Sequence, residues 1–255
     1  MLRNRLILSL LMRSDGIFVN SRGFQLQNVG ELRWIQQYLD FESIDELVLL
    51  NIDRREKDVS RFASQIRELG KFCFVPITAG GGVRSLDDFR LLLDSGADKI
   101  SVNSAFFDDP EFITRAAEQF GSQCTVASID VRLDGDRAPR CFTRDGSHDT
   151  GLTPVEWACR LEALGAGELL LRSIERDGSG KGYDVDLVRS VSDAVSIPVI
   201  ASGGVGNFDH LVEGIRDGRA SAVSAGNIFH YIGHGLNKAK AHLRDQNLNF
   251  PLWNF

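Results

Sequence analysis

Short apolar runs recur along this chain and alternate with longer segments in which apolar residues follow a helical period. The runs are nearly continuous in hydrophobic residues, which is typical of parallel strands covered on both faces. The pattern predicts eight strands, at residues 6–10, 46–50, 72–78, 99–102, 125–129, 169–171, 198–201 and 220–224. Strand-then-helix units without a linker-like stretch predict an α/β fold, a single (β/α)8 TIM barrel that spans residues 1–255.

Capping residues mark helix ends between these strands. Ser85 predicts the start of one helix, and Gly96 lies just past its end. Thr153 and Pro154 predict the start of another, with Gly165 past its end.

The chain also repeats itself at an offset of 122 residues, since VPITAGGGV at 75–83 matches IPVIASGGV at 197–205. At the same offset, ELVL at 46–49 matches ELLL at 168–171. Two long predicted loops, 12–24 and 132–150, each follow the first strand of a half. The repeat predicts two half-barrels, at about 1–122 and 123–245.

Composition narrows the class of protein. The net charge is −6, and no basic cluster of the kind that binds nucleic acid occurs. The four cysteines are scattered without CxxC spacing, so neither a zinc site nor a disulfide framework is indicated. Arg3 and Arg5 precede a short apolar run, but no apolar stretch approaches the roughly 20 residues of a membrane span. We therefore expect a soluble, cytoplasmic protein without a cofactor or metal.

Small residues follow several predicted strands at the carboxyl ends, where barrel enzymes place their sites. They form two sets at equivalent repeat positions: residues 80–82 with 101–104, and residues 203–204 with 225–227. Glycine is also common in ordinary turns, so these residues alone do not establish a phosphate site. The repeated placement nevertheless predicts two phosphate-binding cups facing each other, and hence a substrate with a phosphate at each end.

Asp130 ends the fifth predicted strand, where a carboxylate can act as a general acid or base. The alternative is a structural carboxylate that caps a loop. Its repeat partner on the first strand is Leu11, so no second carboxylate is predicted there. The loop that carries Asp177, Lys181 and Tyr183 either closes over a ligand or lies in solvent.

Four charged residues fall at the starts of strands, at the opposite end of the predicted barrel: Arg5, Glu46, Lys99 and Glu168. Their alternating signs predict a ring. Such a ring either plugs the barrel floor or forms a passage, and the residues alone leave both interpretations open.

Five segments, in this order, resemble the cyclase subunit of imidazole glycerol phosphate synthase: GGGVRSL (80–86), FGSQC (120–124), GAGELLL (165–171), RDGSGKGYD (176–184) and IPVIASGG (197–204). The resemblance runs from about residue 2 to residue 245. It implies a duplicated barrel that receives ammonia from a glutaminase subunit on its N-terminal face. It also implies that the ammonia passes through the barrel to a substrate with two phosphates, giving imidazole glycerol phosphate and an aminoimidazole carboxamide ribonucleotide.

The resemblance assigns residues to these roles. It gives a first cup for one phosphate, made by Gly82, Ser101, Asn103 and Ser104. It gives a second cup for the other phosphate, made by Asp177, Gly178, Gly204, Ala225 and Gly226. It makes the predicted charged ring the gate through which ammonia passes.

Departures from the family pattern concentrate at the predicted mouth. Of the family's two catalytic aspartates, Asp130 is present and the other position holds Leu11. Asn20 stands near the position of the loop lysine that closes over substrate. Asn51 replaces an active-site aspartate, and Arg172 replaces a small hydroxyl residue.

Leucine at the first position also occurs in a branch of paralogues. These barrels work with their own glutaminase and a separate amidotransferase, and the system converts an acetamido group on a surface-polysaccharide sugar into an acetamidino group. The first hypothesis is therefore an ammonia-conducting barrel of this kind. The alternatives are a working histidine-pathway cyclase (a lyase), a non-catalytic activator of a glutaminase, and a single-chain sugar isomerase.

Overall fold

The computed structural model describes residues 3–31, 43–54, 57–230 and 235–251. Its strands are β1 Arg5–Met12, β2 Ile17–Arg22, β3 Gln25–Glu31, β4 Glu46–Asn51, β5 Ile77–Gly80, β6 Lys99–Val102, β7 Thr125–Leu133, β8 Pro139–Thr143, β9 His148–Asp149, β10 Glu168–Ser173, β11 Val199–Ser202 and β12 Ala222–Ala225. Its α-helices are α1 Val59–Leu69, α2 Leu86–Asp94, α3 Ser104–Asp108, α4 Glu111–Phe120, α5 Pro154–Ala163, α6 Val185–Ser192, α7 Asp209–Arg216 and α8 Gly235–Asp245. No helix in these ranges has the length and apolar character needed to cross a bilayer.

Eight parallel strands close into a barrel. The order around it is β1, β4, β5, β6, β7, β10, β11 and β12, and β12 pairs again with β1. The predicted (β/α)8 barrel is therefore confirmed. Because the strands are parallel, their carboxyl ends all meet at one rim of the barrel, which we call the mouth.

Two antiparallel hairpins extend the barrel wall at the mouth. β2 pairs with β1 through Leu11–Val19 and Met12–Phe18, and β3 then pairs with β2. β8 pairs with β7, and β9 with β8. Each extension follows the first strand of a predicted half. The first extends beyond the predicted loop 12–24, because β3 ends at Glu31. The half-barrel repeat itself stays a prediction.

The core has two parts because alternate residues of a barrel strand face opposite sides. Outward residues such as Leu6 and Leu8 pack against helix residues such as Phe62 and Phe89. A smaller cluster fills the barrel interior: Ile7, Val48, Leu50, Val126, Leu170, Ile200 and Ala222.

Most predicted element boundaries agree with the structure, but the third strand does not. Residues 72–78 were expected to form it, whereas β5 begins at Ile77. The backbone N–H groups of Phe72 and Cys73 bond to the carbonyl of Leu69, so the chain is still turning away from α1. Phe74 then projects outward and is 88% exposed. An apolar run here belongs to a connection rather than to a strand.

The predicted helix starts are correct in detail. Ser85 caps α2 in a capping box with Asp88, and Thr153 caps α5 in a capping box with Glu156. Each box satisfies backbone donors that the first helical turn leaves unpaired.

The C-terminal segment 249–255 is rich in aromatic residues, and the structure describes it as far as Pro251. Phe250 packs into the main core and is 6% exposed. Residues 252–255 lie outside the described residues.

Candidate functional site

A cavity of about 610 Å³ opens at the mouth, and we call it the mouth cavity. It brings together all four residues of the predicted first cup: Gly82, Ser101, Asn103 and Ser104. It also contains Asp130, Leu11, Asn51 and Arg172 in its wall. The structure therefore brings these predicted residues together around one cavity.

A second cavity, of about 40 Å³, lies beside the first and is called the side cavity. It is lined by all five residues of the predicted second cup: Asp177, Gly178, Gly204, Ala225 and Gly226. Leu11 and Arg172 line both cavities. The two predicted cups are thus adjacent, and these two side chains stand at the boundary between them.

The turn after β5 brings backbone close to the first cup. Gly81 and Gly82 have φ values of +97° and +91°, a region that residues with a Cβ rarely adopt. A Cβ on Gly81 would collide with the backbone carbonyl of Asn51, and one on Gly82 would lie 2.6 Å from the Cβ of Lys57. Glycine is therefore required at both positions.

Asp130 is 9% exposed and sits at the mouth end of β7. The side-chain amide of Asn103 donates to its Oδ2 at 2.8 Å, and its Oδ1 has no hydrogen-bond partner among the described residues. Burial raises the pKa of Asp130, while the nearby positive charge of Arg172 and the hydrogen bond from Asn103 oppose that rise. The carboxyl is thus placed to hold a proton at higher pH than an exposed aspartate.

This raised pKa predicts a pH dependence of stability. Because the folded-state pKa lies above the ordinary value of 3.8, the stability contributed by Asp130 is full below that value and is lost as the pH rises through the folded pKa. Asp130→Asn removes the titration. We expect the free energy of unfolding of the wild type to fall relative to the variant between acidic and neutral pH. Urea titrations of both proteins across that range test this, and parallel profiles would contradict it.

Leu11 and Asn51 do not supply a second acid. Leu11 packs against the apolar interior cluster. The Asn51 amide donates to the Ser14 hydroxyl at 3.1 Å, and its carbonyl oxygen accepts from the backbone N–H of Asp53 at 3.1 Å. Asn51 therefore fixes the chain around the mouth. Asn20, also predicted near the site, is buried within β2 and lines neither cavity among the residues described.

The tip of the hairpin β2–β3, whose Ser21 and Phe24 line the mouth cavity, is hydrogen-bonded to two residues of the side cavity, Asp177 and Asn227. The Ser21 hydroxyl and the backbone N–H of Phe24 donate to the carboxylate of Asp177, the latter at 3.4 Å. The backbone N–H of Gly23 donates to the Asp177 carbonyl at 2.9 Å, and the Asn227 amide to the Ser21 carbonyl at 2.8 Å. The Asp177 side chain thus contacts the hairpin.

The loop after β10 is partly buried and partly exposed. Tyr183 is 3% exposed and donates its hydroxyl to the Ser224 carbonyl at 2.9 Å, whereas Lys181 is exposed. Only part of that loop faces solvent.

The four predicted ring residues meet at the other end of the barrel. Arg5 bonds to Glu46 at 2.7 Å and also to Glu168, and Lys99 bonds to the same two carboxylates at 3.0 and 2.8 Å. Burial alone would lower the pKa of Arg5, but the two carboxylates together raise it. The ring is therefore a closed set of ion pairs with no net charge, directly below the apolar interior cluster.

The sequence did not identify several residues of the mouth wall. Lys57 pairs with Asp145 at 2.6 Å, and Arg144 pairs with Asp108 at 3.3 Å. The Arg144 backbone N–H also donates to the hydroxyl of Ser104 at 2.9 Å. Their only signal in the sequence is that Arg144 and Asp145 belong to the long loop 132–150, whose conformation the residue pattern does not define.

Within the described ranges, no group of three or more histidine, cysteine, aspartate or glutamate side chains is arranged to hold a metal ion. The model of a protein family described as histidine biosynthesis protein matches residues 23–234. The match covers the mouth from the hairpin tip through β12.

Proposed function

Because the chain belongs to the histidine biosynthesis protein family, we propose that it is an ammonia-conducting barrel of that family. In this role it accepts ammonia from a glutaminase on its N-terminal face and passes it through the barrel. A separate amidotransferase uses the nitrogen to convert an acetamido group of a surface-polysaccharide sugar into an acetamidino group. The resemblance to the cyclase subunit and its paralogues supplies this expectation, and the geometry of the barrel supports it.

The observation that carries the proposal is Leu11 in the wall of the mouth cavity above an intact ion-pair ring. A leucine neither gives nor takes a proton. General acid–base help is worth about 10²- to 10⁴-fold in rate. Loss of that help with retention of the ring favours conduction of ammonia over cyclisation by this chain.

The ring and the interior suit a small neutral molecule. The two cations and two carboxylates of the ring sum to zero charge, so the ring as a whole does not select for an ion over a neutral molecule. The cluster above it is apolar, including Ile7, Val48 and Leu170, and it offers no side-chain acid that would convert ammonia into ammonium on the way. Ammonia in its neutral form is also the nucleophile that amidation needs.

The N-terminal face offers an anchor for a protein partner. Phe74 precedes β5 at the same end of the barrel as Glu46 and Lys99, and it is 88% exposed. Aromatic side chains, phenylalanine among them, are enriched in protein–protein interfaces relative to the rest of the protein surface. Phe74 therefore supports docking of a glutaminase beside the ring.

A working cyclase of histidine biosynthesis is the second candidate. It is favoured by the retained Asp130 and by the presence of both cups at the mouth. A non-catalytic activator of a glutaminase would need neither cavity, so it is the weaker alternative.

The first test supplies the purified chain with the histidine-pathway ribulosyl intermediate and saturating ammonium at alkaline pH. Free ammonium bypasses the glutaminase. We expect no formation of imidazole glycerol phosphate, and a rise on Leu11→Asp but not on Leu11→Asn, because only the aspartate can transfer a proton. Wild-type turnover at a rate equal to that of a histidine-pathway cyclase subunit assayed in parallel would instead establish the second candidate.

Docking of a glutaminase is tested with the same purified chain. Association with a glutaminase subunit of imidazole glycerol phosphate synthase is followed by calorimetry for wild type and Phe74→Ala. We expect affinity to fall about tenfold or more in the variant. Leu26→Ala is the matched control, since Leu26 is the other exposed large hydrophobic residue of the described chain and lies on the mouth hairpin. Equal losses in both variants, or none in either, would count against docking at the ring.

A further inference from the structure

Arg172 is a buried cation without a counter-ion contact. It is 7% exposed, yet its guanidinium forms no hydrogen bond with any described residue, and no described carboxylate oxygen lies within 4.0 Å of its nitrogens. Its one ring contact is with Phe24, whose centroid lies 6.0 Å away. A buried guanidinium is costly unless it is paired and hydrogen-bonded. The Arg172 nitrogens are not among the fully buried atoms that lack a partner, so they open onto a cavity, and the described residues supply no acceptor for them.

The strand register explains why Arg172 reaches the cavity. On the ladder between β7 and β10, Arg172 is the direct neighbour of Asp130, and both are at the mouth ends of their strands. Glu168 and Leu170 precede Arg172 at the inward-facing positions of β10, so Arg172 also faces inward. It lines both the mouth cavity and the side cavity. Its free donors are therefore available to a bound molecule.

We propose that Arg172 binds an oxyanion, a carboxylate or a second phosphate, carried by the same small molecule whose phosphate occupies the first cup. Guanidinium is a planar donor whose paired N–H groups match the two oxygens of such a group. The ligand class is then a phosphorylated sugar acid or a sugar bisphosphate whose second anionic group lies at the boundary of the two cavities.

The surrounding charges are compatible with this assignment. Asp130 is the acid next to Arg172, and the charges of two further acids, Asp177 and Asp145, act on this part of the mouth. The carboxylate of Asp177 already accepts from Ser21 and Phe24, and that of Asp145 is paired with Lys57. Burial raises the pKa of Asp130, so this neighbour is more readily protonated than an exposed aspartate and then does not repel an anion. Arg172 is left as the buried cation of the site.

The inference rests on the predicted first cup, that is, on the expectation that the mouth holds a phosphorylated small molecule. It does not depend on ammonia conduction. It adds that the ligand carries a second negative charge recognised by Arg172, and it makes this residue the determinant of specificity.

Matched pairs of ligands test the inference by calorimetry. Each pair differs only in a terminal carboxylate against a hydroxymethyl group: 3-phosphoglycerate with glycerol 3-phosphate, 4-phosphoerythronate with erythritol 4-phosphate, and 6-phosphogluconate with sorbitol 6-phosphate. Fructose 1,6-bisphosphate with fructose 6-phosphate tests a second phosphate in the same place. For at least one chain length we expect the ligand with the second anionic group to bind about tenfold or more tightly than its partner. Arg172→Met should abolish that preference, and Arg172→Lys should retain part of it.

Arg84→Met is the control, because Arg84 also lines the mouth cavity but is exposed at its rim. It should leave the preference for the second anion unchanged. Binding of a monophosphate to a variant shows that the variant is folded. If monophosphates bind but no pair shows a preference, or if the preference survives Arg172→Met, the inference about Arg172 is wrong while the phosphate cup stands. If no phosphate ligand binds, the proposed phosphorylated ligand is wrong and the inference falls with it.

Discussion

Replacing Gly81 with alanine is expected to destabilise the barrel by about 3–5 kcal/mol, the range of the most damaging single substitutions. Two effects add. The φ of +97° strains any residue with a Cβ, and the new methyl group would collide with the backbone carbonyl of Asn51. Because the obstacle is backbone at the end of a neighbouring strand, it cannot move aside as a flexible side chain would. Urea denaturation of the two proteins measures the difference in free energy of unfolding.

Gly96→Ala separates the two effects. Gly96 has a φ of +106°, but a Cβ there would have no atom within 4 Å. Only the backbone strain remains, so we expect a loss of about 1–2 kcal/mol. If the two variants were equally stable, the close approach of the β5 turn to Asn51 would not matter energetically. A folded Gly81→Ala protein should also lose affinity for phosphate ligands, because the same turn leads into the first cup.

Glu168→Ala is expected to cost about 3 kcal/mol of stability, at the low end for a broken buried pair. The carboxylate is 6% exposed and bonds to both Arg5 and Lys99, whose side chains are 22% and 21% exposed. Removing it leaves both cations with Glu46 as their shared carboxylate. Because the two cations are partly exposed to water, the loss of stability is smaller than for fully buried charges. The difference in free energy of unfolding should grow as salt is lowered, since screening of the two remaining cations weakens.

Two further variants define what the ring contributes. Glu118→Ala removes an exposed glutamate of α4 and should change stability by less than about 0.5 kcal/mol. Arg5→Met combined with Glu168→Met removes one charge of each sign, and we expect it to recover most of the loss because apolar packing often replaces a buried ion pair without penalty. A double variant less stable than Glu168→Ala would show that the ion pairs are required for folding itself.

The strands were predictable because both sides of each barrel strand are covered. Nearly continuous apolar runs such as Leu6–Leu10 are typical of strands that are covered on both faces, and the ends of such strands are marked by turn residues. The run at 72–78 misled the prediction because Phe72 and Phe74 follow a helix end directly. Hydrophobicity alone does not distinguish a buried Ile77 from a Phe74 that projects into solvent.

The candidate site was predictable to the extent that barrel topology fixes it. Strand-end positions such as Ser101, Asp130 and Arg172 meet at the mouth whatever the loops do. Two sets of contacts were not predictable: the hydrogen bonds between the hairpin β2–β3 and Asp177, and the ion pair between Lys57 and Asp145. They depend on loops that are distant in sequence, and no local pattern encodes which carboxylate meets which donor.

The pairing of β2 with β1 has a consequence for how molecules exchange at the mouth. A loop that continues the ladder of a barrel strand cannot swing as a free flap, because its displacement would break the pairing of β2 with β1, including the hydrogen bond from the Arg13 backbone N–H to the Ile17 carbonyl at 2.9 Å. Only the tip near Gly23 can move at a small cost in free energy, by breaking its hydrogen bonds to Asp177 and Asn227. Residence times at this mouth are therefore governed by a few polar contacts at the tip, and weakening them should speed arrival and departure of a ligand equally.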